Sequence, residues 1–235
     1  MIKSKDNKKP LIIALILHFP IFISLYTIPF LLGHYIIPIP NVSWLPIDIN
    51  RWLVWVLPSI VLIKIFEKHM YINLKSMFIN KFKLKTFILF LIPIILYLLF
   101  PIVTGINFRS QLRTFESTNQ LFETLKNMSL FSFVQPAVPE EMVFRAWYLN
   151  ALIGLLKGKQ KTIYALIISN ILFGTIHLPY YIFANHYGFI TCCTSFLGVF
   201  IVGCLFGLIF LKTKSILVPI FFHWLWDTIA FTFYI

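Results

Sequence analysis

Three charged side chains, Glu140, Glu141 and Arg145, lie inside an apolar run at residues 128–156. A charge placed in the middle of a bilayer costs at least about 2.5–3.5 kcal/mol, so such residues usually face a cavity or pair with one another. Because this cost has to be met, a functional role is the first hypothesis for all three.

Helix geometry assigns different roles to these side chains. Glu141 and Arg145 are four positions apart with the acid first, which favours an ion pair on one helix face. Glu140 is rotated from its neighbour by about 100° and can point in another direction. The spacing predicts that Glu141 and Arg145 form a structural pair and that Glu140 stays free for chemistry. The alternative is that all three are a packing device between helices.

Two further pairs have the same four-residue spacing, Phe173 with His177 and His223 with Asp227. Phe173 could lie beneath the imidazole of His177 and fix its ring. Asp227 could accept a hydrogen bond from His223 and set its tautomer, as carboxylates do for catalytic and metal-binding histidines. A single histidine in a membrane span more often makes a helix–helix hydrogen bond. These two differ because they accompany several other ionisable side chains.

We expect Glu140, His177, His223 and Asp227 to converge on one polar cavity, because each would otherwise be stranded in lipid. Counting the third carboxylate and the arginine, this cluster has an excess of two negative charges when both histidines are neutral. Proton uptake, a protonated histidine or a divalent cation would relieve that excess. Glu140, His177 and His223 also form the two-histidine, one-carboxylate ligand set of hydrolytic zinc sites.

The composition is that of a membrane protein, with 59% hydrophobic and 12% charged residues. The net charge of +12 does not indicate nucleic-acid binding, because the lysines cluster between apolar runs. We therefore expect an all-α polytopic protein with about seven transmembrane helices. The predicted spans are 11–37, 49–66, 86–103, 128–156, 162–183, 188–211 and 215–235.

The spans divide the chain into two predicted regions. Residues 1–127 hold three spans and a loop, and residues 128–235 form a helical core of four spans that carries the site. Within the first region, residues 105–127 are amphipathic and could form an interfacial helix leading into the fourth span. Lysine-rich and lysine-poor loops alternate, which predicts a cytoplasmic N-terminus. The abundance of Ile, Phe, Lys and Asn suggests an AT-rich genome and therefore a bacterium, so we expect the protein in a bacterial cell membrane.

The three motifs resemble those of the CAAX-processing and bacteriocin-processing intramembrane proteases, the CPBP or Abi family, which includes the type II CAAX prenyl endopeptidases. That family has Glu-Glu-x-x-x-Arg, Phe-x-x-x-His and His-x-x-x-Asn or Asp on successive core helices. The same motifs occur here in that order, and the resemblance covers about residues 128–235. The candidate catalytic residues that it implies are Glu140, Glu141, Arg145, His177, His223 and Asp227.

The resemblance implies a hydrolase in which Glu140 activates water and His177 binds water or metal. His223 with Asp227 would then bind a metal or stabilise an oxyanion. Relatives are named metalloproteases, although a metal-free glutamate mechanism has also been proposed for them. An ionised aspartate cannot donate a hydrogen bond, so Asp227 in place of the common Asn favours an orienting or metal-linked role.

The predicted function is an intramembrane endopeptidase that acts on a membrane-associated peptide or protein within the lipid bilayer, such as a bacteriocin precursor. It would use either a glutamate-activated water or a divalent metal such as zinc, with no nucleic acid as a partner. One alternative is a non-catalytic membrane protein that confers immunity against a bacteriocin. Another is an ion-coupled transporter with a proton relay of buried acids and histidines.

Overall fold

The computed structural model describes residues 8–32, 48–104 and 113–233, and these ranges contain helices and no strand. The all-helical fold class is therefore confirmed. Several helices include wide π-helical turns, and short helical turns also occur at Glu67–His69 and Tyr180–Ala184. The main helices are α1 (Lys9–Phe22, Ile23–Thr27, Ile28–Leu31), α2 (Ile49–Arg51, Trp52–Val56, Leu57–Ile65), α3 (Leu74–Ile79), α4 (Leu84–Thr104), α5 (Thr118–Ser132, Phe133–Ala137, Val138–Glu141, Met142–Leu149, Asn150–Leu155), α6 (Lys161–Thr175), α7 (Phe189–Thr213) and α8 (Leu217–Phe233).

Two helical segments of the described chain are long and apolar enough to cross a bilayer, Lys161–Ala184 and Phe189–Thr213. Most of their side chains are not covered by the rest of the described protein, and exposed apolar surface of this kind marks contact with a membrane or another protein. Three shorter apolar helices lie at Lys9–Leu25, Leu84–Leu96 and Leu217–Phe233. These helices indicate a membrane protein, whereas the count of seven spans and the cytoplasmic N-terminus stay predictions.

Helix α5 begins earlier than the predicted fourth span. Ser117 caps its N-terminus by accepting a hydrogen bond from the Gln120 N–H at 3.2 Å, so the helix starts at Thr118. The amphipathic segment predicted at 105–127 is thus helical in its second half, and its residues 105–112 lie outside the described chain. The division of the chain at residue 127 stays a prediction.

A wide turn at Phe133–Ala137 precedes the acidic pair of α5. Pro139 has no N–H to donate to the carbonyl four residues earlier, and its ring would collide with that carbonyl in a regular α-helix. Val138 instead donates its N–H five residues back, to the carbonyl of Phe133. The same arrangement precedes Pro58 in α2. Such turns re-aim the side chains that follow them and are frequent at functional sites.

The second half of α5 is the centre of the fold, because residues 139–153 are buried at every position. A helix covered on all sides must be surrounded by other helices. Helix α2 packs on one side of it, and α6, α7 and α8 pack on the others. Helix α1 is joined to it by a hydrogen bond between His18 Nδ1 and Tyr148 Oη at 2.8 Å. The acidic pair is therefore enclosed by helices from both halves of the chain.

Candidate active site

Glu141 and Arg145 form the ion pair expected from their spacing, with Glu141 Oε1 3.0 Å from Arg145 Nη1. Both side chains are fully buried. Arg145 Nη2 also donates to the carbonyl of Gly203 at 2.9 Å, and the guanidinium lies over the Phe173 ring at 4.5 Å. A Cβ at position 203 would come within 2.8 Å of that ring and 3.2 Å of Arg145 Nη2. The cation is thus held by a carboxylate, a carbonyl and an aromatic face.

Glu140 does not share the cation of Glu141; its Oε1 accepts a hydrogen bond from Nη2 of Arg51, a contact that the sequence did not predict. Arg51 lies in the first turn of α2, where Asp48 Oδ1 accepts its backbone N–H at 3.3 Å. Its guanidinium lies 4.2 Å from the ring centroid of Trp55, one turn further along the same helix. The second oxygen of Glu140, Oε2, is 3.7 Å from His223 Nε2.

His223 has a carboxylate beside each ring nitrogen. Nε2 is 3.2 Å from Asp227 Oδ2, so the expected contact within α8 is present. Nδ1 is 2.8 Å from Glu141 Oε1, a contact between helices that the sequence did not predict. Phe206 stacks on the imidazole with the ring centroids 4.8 Å apart. Because ionised carboxylates only accept hydrogen bonds, both contacts are satisfied when the ring carries two protons as an imidazolium.

His177 lies where α6 is interrupted. Pro179 cannot donate to the carbonyl of Thr175, so the regular helix ends there and His177 follows in a turn. Its Nδ1 is 2.9 Å from the carbonyl oxygen of Phe173, and the two rings meet edge to face with centroids 5.0 Å apart. With Nδ1–H donating to the backbone, Nε2 is the ring atom that remains as an acceptor.

The four side chains expected to converge line one cavity of about 250 Å³: Glu140, His177, His223 and Asp227. Arg51 lines it as well. The other two predicted site residues, Glu141 and Arg145, do not line the cavity. They lie behind its wall, where Glu141 contacts His223 and the Arg145 guanidinium lies over the Phe173 ring.

The charges of this cluster sum to zero when His223 is doubly protonated. Three carboxylates are matched by the guanidiniums of Arg51 and Arg145 and by a doubly protonated His223. The count made from the sequence left out Arg51 and took His223 as neutral; with Arg51 included and His223 doubly protonated, no negative excess is left. Arg51 could have been suspected, because it is a charged residue at the start of an apolar run.

The predicted zinc ligands Glu140, His177 and His223 do not have the arrangement of a metal site. Within residues 8–32, 48–104 and 113–233, no three His, Cys, Asp or Glu side chains surround a common metal position. A histidine binds a metal through an unprotonated nitrogen, whereas both nitrogens of His223 face carboxylates. One oxygen of Glu140 is bonded to Arg51. In this arrangement the side chains do not fit a divalent cation.

The fold and the cavity define a class: a helical membrane protein with acid–base groups enclosed between its helices. A family model described as "Type II CAAX prenyl endopeptidase Rce1-like" matches residues 123–229, a little under half of the chain. This match confirms the resemblance for residues 123–229, and it supports a membrane endopeptidase at the level of the family. No curated protein and no solved structure matches the chain.

Proposed function

We propose that the protein is an intramembrane endopeptidase that hydrolyses a peptide bond with a water molecule activated by Glu140. The observation that supports this is the shared cavity, where Glu140 from α5 and His177 from the turn after α6 each present an acceptor atom. A water held between two acceptors has its lone pairs directed away from them, toward a substrate carbonyl.

The reaction that these groups support has two steps. Glu140 takes one proton from water while the water oxygen bonds to the carbonyl carbon, and the C=O electron pair moves onto the carbonyl oxygen. Glu140 then gives the proton to the amide nitrogen as the C–N bond breaks and the carbonyl re-forms. His177 accepts the second water hydrogen through Nε2 and keeps the nucleophile in place.

Glu141 and Arg145 contribute to this mechanism from outside the cavity. Arg145 holds Glu141, Glu141 accepts the hydrogen bond of His223 Nδ1, and Asp227 accepts that of Nε2, so the ring presents a fixed positive charge beside Glu140. That charge helps to keep Glu140 ionised and able to accept a proton. We assign Glu141, Arg145 and Asp227 positioning roles, and we derive no step that requires a metal ion.

The substrate we propose is a membrane-associated peptide or protein. The cavity is lined largely by apolar and aromatic side chains around the polar groups, including Val199, Val202 and Trp226. An extended peptide segment that enters from the bilayer could pack its apolar side chains against this lining, with its backbone next to the charged groups. A peptide precursor such as that of a bacteriocin fits this description, as does a CAAX peptide.

The test is cleavage by the purified protein in lipid nanodiscs, with a pool of hydrophobic peptides that includes a farnesylated CAAX peptide. Mass spectrometry would identify the products. We expect Glu140→Gln to lower the cleavage rate by about 10²–10⁴-fold, the usual contribution of a general base. Glu123→Gln is the matched control, because Glu123 lies on the same helix with its side chain 67% exposed.

A Glu140→Gln protein that is folded and still cleaves at the rate of the control would refute the role of this residue. A wild-type protein that binds peptides of the pool and cleaves none would favour the immunity-type binding protein instead. Thermal unfolding of each variant separates a loss of chemistry from a loss of folded protein.

A further inference from the structure

Hydrolysis of a peptide bond creates a negative charge on the carbonyl oxygen, and this charge needs a hydrogen-bond donor inside the cavity. In a site that excludes water, preorganised donors at that oxygen are usually the largest single contribution to catalysis. The identity of this donor can be inferred from the cavity, and the inference rests on the proposed function.

The histidines and acids of the cavity wall are poorly placed for this role. His177 donates its Nδ1–H to the Phe173 carbonyl and has only an acceptor left. His223 directs its two N–H groups at Glu141 and Asp227. Carboxylates are acceptors when ionised.

The cavity is also lined by two side chains that carry N–H donors, Trp226 and Arg51. The indole N–H of Trp226 is uncharged. Arg51 carries a full positive charge and five N–H donors in a rigid plane, and one of these donors already points at Glu140 inside the cavity. Its guanidinium is supported from below by the Trp55 ring at 4.2 Å, which limits the positions it can take.

We propose that Arg51 is a catalytic residue whose guanidinium stabilises the oxyanion of the tetrahedral intermediate. Before the reaction, its charge is matched by the carboxylate of Glu140. When Glu140 accepts the proton of water it becomes neutral, and the negative charge appears on the carbonyl oxygen. Arg51 then faces the oxyanion instead of the carboxylate, so the cavity holds the same number of charges throughout.

The negative charge thus moves from Glu140 to the carbonyl oxygen, and this explains why a cation is paired with the general base. A lone carboxylate in the cavity would gain from protonation, but the oxyanion formed at the same time would have no partner in a medium of low dielectric. With Arg51 beside both groups, its guanidinium pairs first with the Glu140 carboxylate and then with the oxyanion. The collapse of the intermediate reverses the exchange, because the departing amine takes the proton from Glu140.

Arg51 lies outside the family-matched residues 123–229, on a helix of the N-terminal region. The matched domain by itself therefore lacks the donor, and α2 completes the site. Sequences that keep the three motifs of the core without a cation at the start of this helix would need another oxyanion donor.

The experiment compares Arg51→Gln, Arg51→Lys and Lys64→Gln, assayed with a peptide that the wild type cleaves. Lys64 is the matched control, because it lies on the same helix with its side chain 55% exposed. We expect Arg51→Gln to lower kcat by about 10²–10³-fold, the usual effect of removing one oxyanion donor, with little change in KM. Arg51→Lys keeps the ion pair and loses the planar fork, so its loss should be smaller.

A second measurement separates stabilisation of the oxyanion from support of Glu140. A phosphinate analogue of the cleaved peptide carries anionic oxygens on a tetrahedral centre, as the intermediate does. We expect Arg51→Gln to weaken its binding by the same factor as kcat/KM. The affinity of the uncleaved peptide for a Glu140→Gln protein should not change when Arg51→Gln is added.

Each outcome decides between named possibilities. If the wild type cleaves no peptide, the proposed function fails and this inference fails with it. If Glu140→Gln abolishes cleavage while Arg51→Gln retains kcat, only the role of Arg51 is refuted. If kcat falls in Arg51→Gln while the phosphinate binds as before, Arg51 only positions Glu140, and the oxyanion role is wrong.

Discussion

Replacing Arg145 with methionine should destabilise the protein strongly, because it strands a buried carboxylate. Arg145→Met removes the cation 3.0 Å from Glu141 Oε1, and the side chain of Glu141 has no exposed surface. Breaking a buried ion pair by removing one partner costs about 3–5 kcal/mol. For a chain of this length, about 2–4 °C of melting temperature is lost per kcal/mol, which gives a decrease of about 6–20 °C.

The measurement is thermal unfolding in one detergent, followed by the intrinsic fluorescence of the six tryptophans. Lys126→Met is the matched control, since Lys126 pairs with Glu123 at 3.6 Å and is 74% exposed. Exposed pairs are worth up to about 1 kcal/mol, so the control should shift the midpoint by a few degrees at most.

The double variant Glu141→Gln/Arg145→Met tests the cause of the loss. It leaves no lone charge at this position, so we expect it to be more stable than Arg145→Met alone. The reasoning is refuted if Arg145→Met unfolds within a few degrees of Lys126→Met. It is also refuted if the double variant is less stable than Arg145→Met, because then the stranded charge is not what destabilises the protein.

Two further predictions concern chemistry and topology. Removing metals with o-phenanthroline should leave Glu140-dependent cleavage unchanged, because carboxylates occupy both nitrogens of His223; loss of activity that added zinc restores would contradict this. In a variant without the native cysteines, single cysteines at Asn185 and Lys159 should be labelled from opposite sides of the membrane, with Asn185 outside, and labelling from one side would refute the predicted orientation.

The local pairs of the site could be predicted because helix geometry sets them. Residues four apart on one helix meet in whatever fold contains the helix. The contact of Glu141 with Arg145 and that of His223 with Asp227 are both of this kind. The convergence of the polar side chains was also predictable, because an apolar surrounding gives ionisable groups few other solutions.

The contacts between distant helices could not be predicted in this way. Arg51 and Glu140 are 89 positions apart, and Glu141 and His223 are 82 apart. One sequence does not state which faces of two apolar helices meet, because many packings bury the same surface. These contacts change the expected chemistry, because both ring nitrogens of His223 face carboxylates and one oxygen of Glu140 is hydrogen-bonded to Arg51.

The span count shows a limit of a different kind. Hydropathy located the helices, but a helix enclosed by other helices has no lipid-facing side that must be apolar. Residues 139–153 illustrate this, because two acids, an arginine and an asparagine are all buried there. Composition alone therefore does not decide which of the helices cross the bilayer.

The wide turn before Pro139 sets the rotational phase of the two halves of α5. A regular helix advances about 100° per residue, so a turn that takes in one extra residue rotates everything after it by that amount. On the earlier half, the Ser129 carbonyl accepts the indole N–H of Trp224 at 2.9 Å. On the later half, the acidic pair faces Arg51 and His223. Deleting one residue of the turn would rotate one half of α5 relative to the other by about 100°, so the contact of Ser129 with Trp224 and the contacts of the acidic pair could not both form.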